Sequence, residues 1–162
     1  MFSDALRARA ESLLAAARAR GLKIATAESC TGGLVAGLLT EIPGSSDVVE
    51  RGFVTYSNDA KREMLGVPHE MLVAYGAVSE QVARALAQGA LQHSRADLAV
   101  SVTGVAGPGG GTMDKPVGLV HFAAARGDTV IHRECRFGDI GRDEVRLKSV
   151  EVALEMLQSL LS

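Results

Sequence analysis

Apolar residues along this chain alternate between two rhythms, helical spacing and short continuous runs. Leu6, Leu13, Leu14 and Ala17 fall on one helical stripe, with Arg7, Arg9, Glu11, Arg18 and Arg20 largely off it. Ser3 or Asp4 is placed to cap this helix and Gly21 to end it. The run from Leu22 to Glu28 reads as a strand, and Leu34, Leu38, Leu39 and Ile42 as the inner face of a helix that reaches about Ile42. After the turn Pro43-Gly44-Ser45-Ser46, residues Arg51 to Ser57 are β-branched and aromatic enough for a second strand. Asn58 is placed to cap a short helix closed by Gly66, and Pro68 to Tyr75 forms another short helical piece stopped by Gly76. Ser79 caps a longer helix to about His93, with Val82, Leu86, Ala90 and Leu91 inward. Leu98 to Thr103 is apolar enough to be a central strand. Val117–Ala125 and Thr129–Phe137 flank Arg126-Gly127-Asp128 as a hairpin. A last helix runs from Arg142 to about Leu160, with Val145, Val150, Leu154, Leu157 and Leu161 inward.

Strands and helices interleave early and a hairpin comes late. This order predicts a three-layer α/β/α single domain over residues 1–162, built on a mixed five-stranded sheet. A net charge of −2 with mixed signs offers no basic face, so no nucleic-acid partner is expected. The N-terminal segment lacks the apolar centre of a signal peptide, and no window has the length of uninterrupted apolar residues that a membrane span needs. Cys30 and Cys135 show neither pair spacing nor a ligand motif. Together these features predict a cytoplasmic chain without a disulfide framework.

Candidate chemistry lies where strands end: at Ser29, at Tyr56–Lys61 and at Thr103–Thr112. In open α/β sheets ligands bind beyond the carboxyl ends of strands, so parallel neighbours would bring these corners to one site. In Glu28-Ser29-Cys30-Thr31-Gly32-Gly33 the hydroxyl of Ser29 is a candidate nucleophile, although a plain helix cap is the simpler use of a serine there. Cys30 competes as nucleophile at the same helix start. The two glycines weaken the helix and allow a ligand close to the backbone.

Lys61 falls in the first turn of its helix, where the dipole disfavours a cation and favours loss of its proton. That suits a general base, and the plain alternative is a lysine reaching into solvent. Tyr56 either faces the same cleft or packs in the core. His69, His93, His121 and His132 read as exposed or already satisfied side chains rather than partners of Ser29. The loop Gly104–Gly111, including Gly107, has the glycine content of a phosphate cradle but the spacing of neither a P-loop nor a dinucleotide fingerprint. Arg142 and Arg146 lie one turn apart and suit a phosphate or carboxylate, or else a salt-bridged face with Glu144 and Glu151.

These blocks, in this order, resemble the CinA C-terminal family, the C-terminal domains of competence/damage-inducible proteins. The resemblance rests on Ala27–Gly33, Gly52–Asn58 with Lys61, Gly76–Ser79, Thr103–Pro108, Lys115–Gly118 and the Arg142/Arg146 helix, and spans about Leu6 to Leu160. Stand-alone members of that family are nicotinamide-nucleotide amidases. The resemblance implies hydrolysis of nicotinamide mononucleotide to nicotinate mononucleotide and ammonia, in pyridine-nucleotide recycling, without metal or cofactor. It implies Ser29 as nucleophile, Lys61 as base and Tyr56 as helper. Backbone N–H groups of Cys30, Thr31 and Gly32 would meet the oxyanion. Thr103, Gly104 and Gly107 would line the site, and Arg142 or Arg146 would hold the nucleotide. A homo-oligomer is expected. Two other readings stand beside this one: a nucleotide-binding accessory or regulatory domain without catalysis, linked to competence or DNA damage, and cysteine catalysis through Cys30.

Overall fold

The computed structural model describes residues 1–162. In chain order the elements are α1 (Asp4–Ala19), β1 (Ile24–Glu28), α2 (Leu34–Glu41), β2 (Val49–Val54), α3 (Asn58–Leu65), α4 (His69–Tyr75), α5 (Glu80–Gln92), β3 (Leu98–Gly104), β4 (Leu119–Arg126), β5 (Thr129–Arg136) and α6 (Arg142–Ser159). The sheet order is β2-β1-β3-β4-β5. β1 runs parallel to both β2 and β3, whereas β4 is antiparallel to β3 and β5.

Strand periodicity sorts the side chains onto two faces. Ile24 on β1, Val100 and Val102 on β3, and Val120, Phe122 and Ala124 on β4 point to one side. There they pack against α1, α2 and α6 in a core of 27 buried residues. Ala27 and Ala99 point the other way, toward Leu65, Val67, Leu72, Val82, Leu86 and Ala90 of the α3–α5 segment. A smaller alanine cluster joins Ala83 and Ala87 of α5 to Ala123 and Ala125 of β4. The result is the expected three-layer α/β/α arrangement with a mixed sheet.

Helix starts follow local chemistry. Ser3 Oγ accepts the Leu6 N–H, and Ser79 Oγ accepts the Val82 N–H. The cap of α3 is Ser57, whose Oγ accepts the Ala60 N–H at 3.0 Å, and Asn58 is the first helical residue. A serine and an asparagine in tandem cap equally well by composition, and the three-residue reach to Ala60 decides for Ser57. α2 begins only at Leu34. Gly32 and Gly33 have φ of +55° and +104°, left-handed values that a right-handed helix cannot contain. Ser29–Gly33 is therefore a turn that precedes the helix, not its first turn.

Candidate active site

Because β1, β2 and β3 are parallel, the chain leaves all three strands at the same edge of the sheet. β1 sits between β2, reached across one face through α2, and β3, reached across the other through α3–α5. That reversal of direction opens a crevice at the strand ends. A cleft of about 230 Å³ lies there, lined among others by Ser29, Cys30, Tyr56, Asn58, Lys61, Thr103, Gly104 and Arg142. Roomier grooves lie between α1 and α6, about 560 Å³, and beside α3, about 430 Å³. Neither groove holds one of the candidate nucleophiles, so chemistry selects the smaller cleft.

Ser29 is the first residue after β1 and is held in place by its N–H, which donates to Val102 O at 2.9 Å. Its hydroxyl donates to Thr55 O at 3.1 Å. The Lys61 ammonium donates to the same oxygen at 2.9 Å and to Tyr56 O at 3.4 Å. One carbonyl oxygen thus accepts from both the serine hydroxyl and the lysine amine.

Lys61 is 2% exposed and pairs with no carboxylate. Burial pushes its pKa below the ordinary lysine value, because an ammonium loses more hydration than a neutral amine does. Desolvation is the leading cause, and the solvent-reaching alternative for Lys61 does not hold. An ionised Cys30 would act in the opposite sense. Burial, however, drives the Cys30 thiol up to about 12, against weaker pulls from its own N–H and from Arg146, so at neutral pH Cys30 is an uncharged thiol. Cys30 is 7% exposed and packs in the larger core.

Tyr56 is 63% exposed, which excludes the core alternative. Its hydroxyl accepts from Arg142 Nη2 at 3.2 Å, and Arg142 Nη1 donates to Gly107 O at 2.8 Å. Gly107 therefore turns its carbonyl toward the guanidinium, and of the glycine loop it is Gly104, with Ala106, that lines the cleft. Thr103 lines it too, with its hydroxyl tied to Ala77 O at 2.9 Å. Arg146 lies behind the turn: Nε donates to Cys30 O at 3.1 Å and Nη2 to Thr31 O at 3.3 Å. Glu151 pairs with Arg9, and neither Arg142 nor Arg146 makes an ion pair. Among turn N–H groups, that of Gly32 donates to Ser29 O, while no oxygen of the chain accepts from Cys30 or Thr31.

His121 and His132 hydrogen-bond to each other, Nδ1 to Nε2 at 2.9 Å, outside the cleft. Each thus has a hydrogen-bond partner, in keeping with satisfied rather than catalytic side chains.

Asn58, Ala77, Val78 and Ala106 also line the cleft; they lie within the motif blocks but are not singled out as site residues by any chemistry of their own. Glu28 does carry a local signal: a carboxylate closing an otherwise apolar strand. It is fully buried. Oε1 accepts from Thr31 Oγ1 at 2.7 Å and Val35 N at 2.8 Å, and Oε2 accepts from Ala36 N at 3.0 Å. The anion at the start of α2 is the chain's own.

This is thus an α/β/α domain whose switch-point crevice is lined by a hydroxyl, a buried amine and a guanidinium that makes no ion pair. The chain belongs to the CinA C-terminal domain family, which it matches over residues 6–161. It is 55% identical over 144 residues to the nicotinamide-nucleotide amidohydrolase PncC of Escherichia coli (strain K12), covering 88% of this chain and 86% of that protein. It is 52% identical over 139 residues to a putative competence-damage inducible protein of Caldicellulosiruptor bescii, covering 85% of this chain but 33% of that one. The crystal structure of the competence/damage inducible protein CihA from Agrobacterium tumefaciens superposes with a TM-score of 0.98 at 56% identity, over 100% of this chain and 99% of that one. No helix is long and apolar enough to cross a membrane.

Proposed function

We propose that this protein is a nicotinamide-nucleotide amidase that hydrolyses the carboxamide of nicotinamide mononucleotide through a serine–lysine pair. The observation that carries the reading is the shared Thr55 carbonyl, which accepts from both the Ser29 hydroxyl and the buried Lys61 amine at a cleft that both line. The relatives named as amidohydrolases support the choice of reaction.

In the proposed sequence, Ser29 Oγ attacks the carboxamide carbon while neutral Lys61 takes the hydroxyl proton. Lys61 then returns that proton to the departing nitrogen, ammonia leaves, and an acyl ester remains on Ser29. Water, deprotonated by Lys61, attacks the ester, the proton held by Lys61 passes to the departing Ser29 oxygen, and the acid that is released loses its proton to solvent to give the carboxylate. The N–H of Cys30, which lines the cleft, is the candidate to meet the oxyanion, since Gly32 N–H is already engaged and Thr31 is fully buried off the cleft. Such a donor contributes roughly 3–4 kcal/mol to the transition state. Arg142, exposed and without a carboxylate partner, is the candidate for the phosphate, and its hold on Tyr56 couples the tyrosine to that contact. Arg146, facing the carbonyls of the turn, supports the nucleophile instead.

The test is ammonia release from purified protein given nicotinamide mononucleotide. Wild type is expected to release it, and Ser29→Ala to bind the mononucleotide while releasing none. A wild type that binds but never releases ammonia would make the domain a nucleotide-binding module, and a fully active Ser29→Ala would sink the serine mechanism.

A further inference from the structure

We infer that Glu28 is a positioning residue that holds the nucleophile turn in its attacking shape by filling the start of α2 with its own carboxylate. The inference rests on the reading of Ser29 as nucleophile. The turn Ser29–Gly33 contains two consecutive left-handed glycines, which lack the side chains that would restrict them. Something outside the turn must therefore fix the position of the Ser29 hydroxyl.

Glu28 does so from both of its ends. Its main-chain oxygen accepts the Thr55 N–H at 2.9 Å, locking it to the strand whose next carbonyl is that of Thr55 itself. Its carboxylate crosses the turn to the N–H groups of Val35 and Ala36. A plain helix cap needs only those two donors. Oε1 also accepts the hydroxyl of Thr31, which lies outside the helix and two residues beyond Ser29. The same oxygen thus ties the middle of the turn to the helix it leads into. Arg146 braces the turn through the carbonyls of Cys30 and Thr31. Held in this way, the Cys30 N–H at the cleft keeps one orientation as charge develops on the substrate oxygen, so no reorganisation is required during the reaction.

The test compares wild type with Glu28→Gln, Thr31→Val, their double variant, Ser29→Ala, and Ser3→Ala, which removes the remote cap of α1 as a stability control. Glu28→Gln is expected to lower kcat about 10- to 100-fold, the scale of a small misplacement of a reacting group. KM should stay within about threefold, since transition-state rather than ground-state contacts are lost. Thr31→Val should lower kcat by about 3- to 10-fold, as expected for one hydrogen bond. The double variant should be no slower than Glu28→Gln, and Ser3→Ala should lower Tm with kcat intact. If Glu28→Gln does not fold, Thr31→Val decides, because it keeps the carboxylate and both helix donors. An active wild type, an inactive Ser29→Ala and a kcat for Glu28→Gln or Thr31→Val within about twofold of wild type would overturn the positioning role alone. So would an equal kcat loss in Ser3→Ala at equal loss of Tm. An inactive wild type, or an active Ser29→Ala, would instead overturn the reading of Ser29 and this inference with it.

Discussion

At the scale of single residues, the environment of Lys61 decides what it can do. Lysine is seldom this buried without a carboxylate, because the ammonium loses its hydration with nothing to replace it. Two carbonyl oxygens compensate in part. Its lowered pKa, caused by burial, makes the neutral amine easier to reach than for a lysine in water. Activity should therefore rise with pH along an acid limb whose midpoint lies below the ordinary lysine value of 10.5. Lys61→Met should abolish that activity, and pH–rate profiles check both outcomes. The same shift has a sign for stability. Between the folded and unfolded pKa the unfolded chain holds more protons, so stability rises with pH across that window, and below the folded pKa the full cost of the buried charge applies. Lys61→Met removes the cost, so its Tm at pH 7 should be no lower than that of wild type, and its stability should be flat where that of wild type climbs. A Tm several degrees below wild type would contradict this. That Lys61 could be a base was legible from its place after a strand. Its burial was not, because the residues that cover it come from other parts of the chain.

Among elements, boundaries followed from caps and glycines wherever the signal was local, as at Ser3, Gly66, Gly76 and Ser79. They shifted where a neighbour decides. Thr55–Ser57 have strand-like composition, yet β2 stops at Val54 because it is an edge strand and β1, its one partner, ends at Glu28. Leu22 lies outside β1 because its N–H closes the end of α1 on Ala17 O. The three corners were legible as separate motifs, whereas their meeting depended on parallel pairing that no local pattern states. The role of Arg146 was hidden for the same reason, since its partners lie 115 and 116 residues away, whereas the side-chain partners of Glu28 are local, three to eight residues on. Packing of α5 against the sheet also has its own signature. Alanines face alanines at Ala83, Ala87, Ala123 and Ala125, and a Cβ on Gly89 would lie 2.3 Å from Leu65 O. This helix sits too close to its neighbours for larger side chains. Ala87→Leu should destabilise by about 1–3 kcal/mol through overpacking. That corresponds to a Tm roughly 2–4 °C lower per kcal/mol in a chain of this size, read by thermal unfolding.

Across the whole molecule, the two helical layers are unequal. The layer of α1, α2 and α6 closes on 27 buried residues, and the opposite layer closes on clusters of eight and four, largely small side chains. The larger layer carries α2 and the buttress Arg146, hence the setting of Ser29, while Lys61 rides on α3 in the thinner one. Regions with less buried apolar surface open first in native proteins. On gentle heating, then, the amine should drift from the hydroxyl while the sheet and its thicker coat are still intact. The midpoint for loss of ammonia release should fall below the midpoint of far-UV melting, and amides of α3–α5 should exchange faster than those of α1 and α6. Coincident midpoints and uniform exchange would argue against it. The proposed Ser29–Lys61 pair would then act as its own fuse, failing before the rest of the molecule is put at risk.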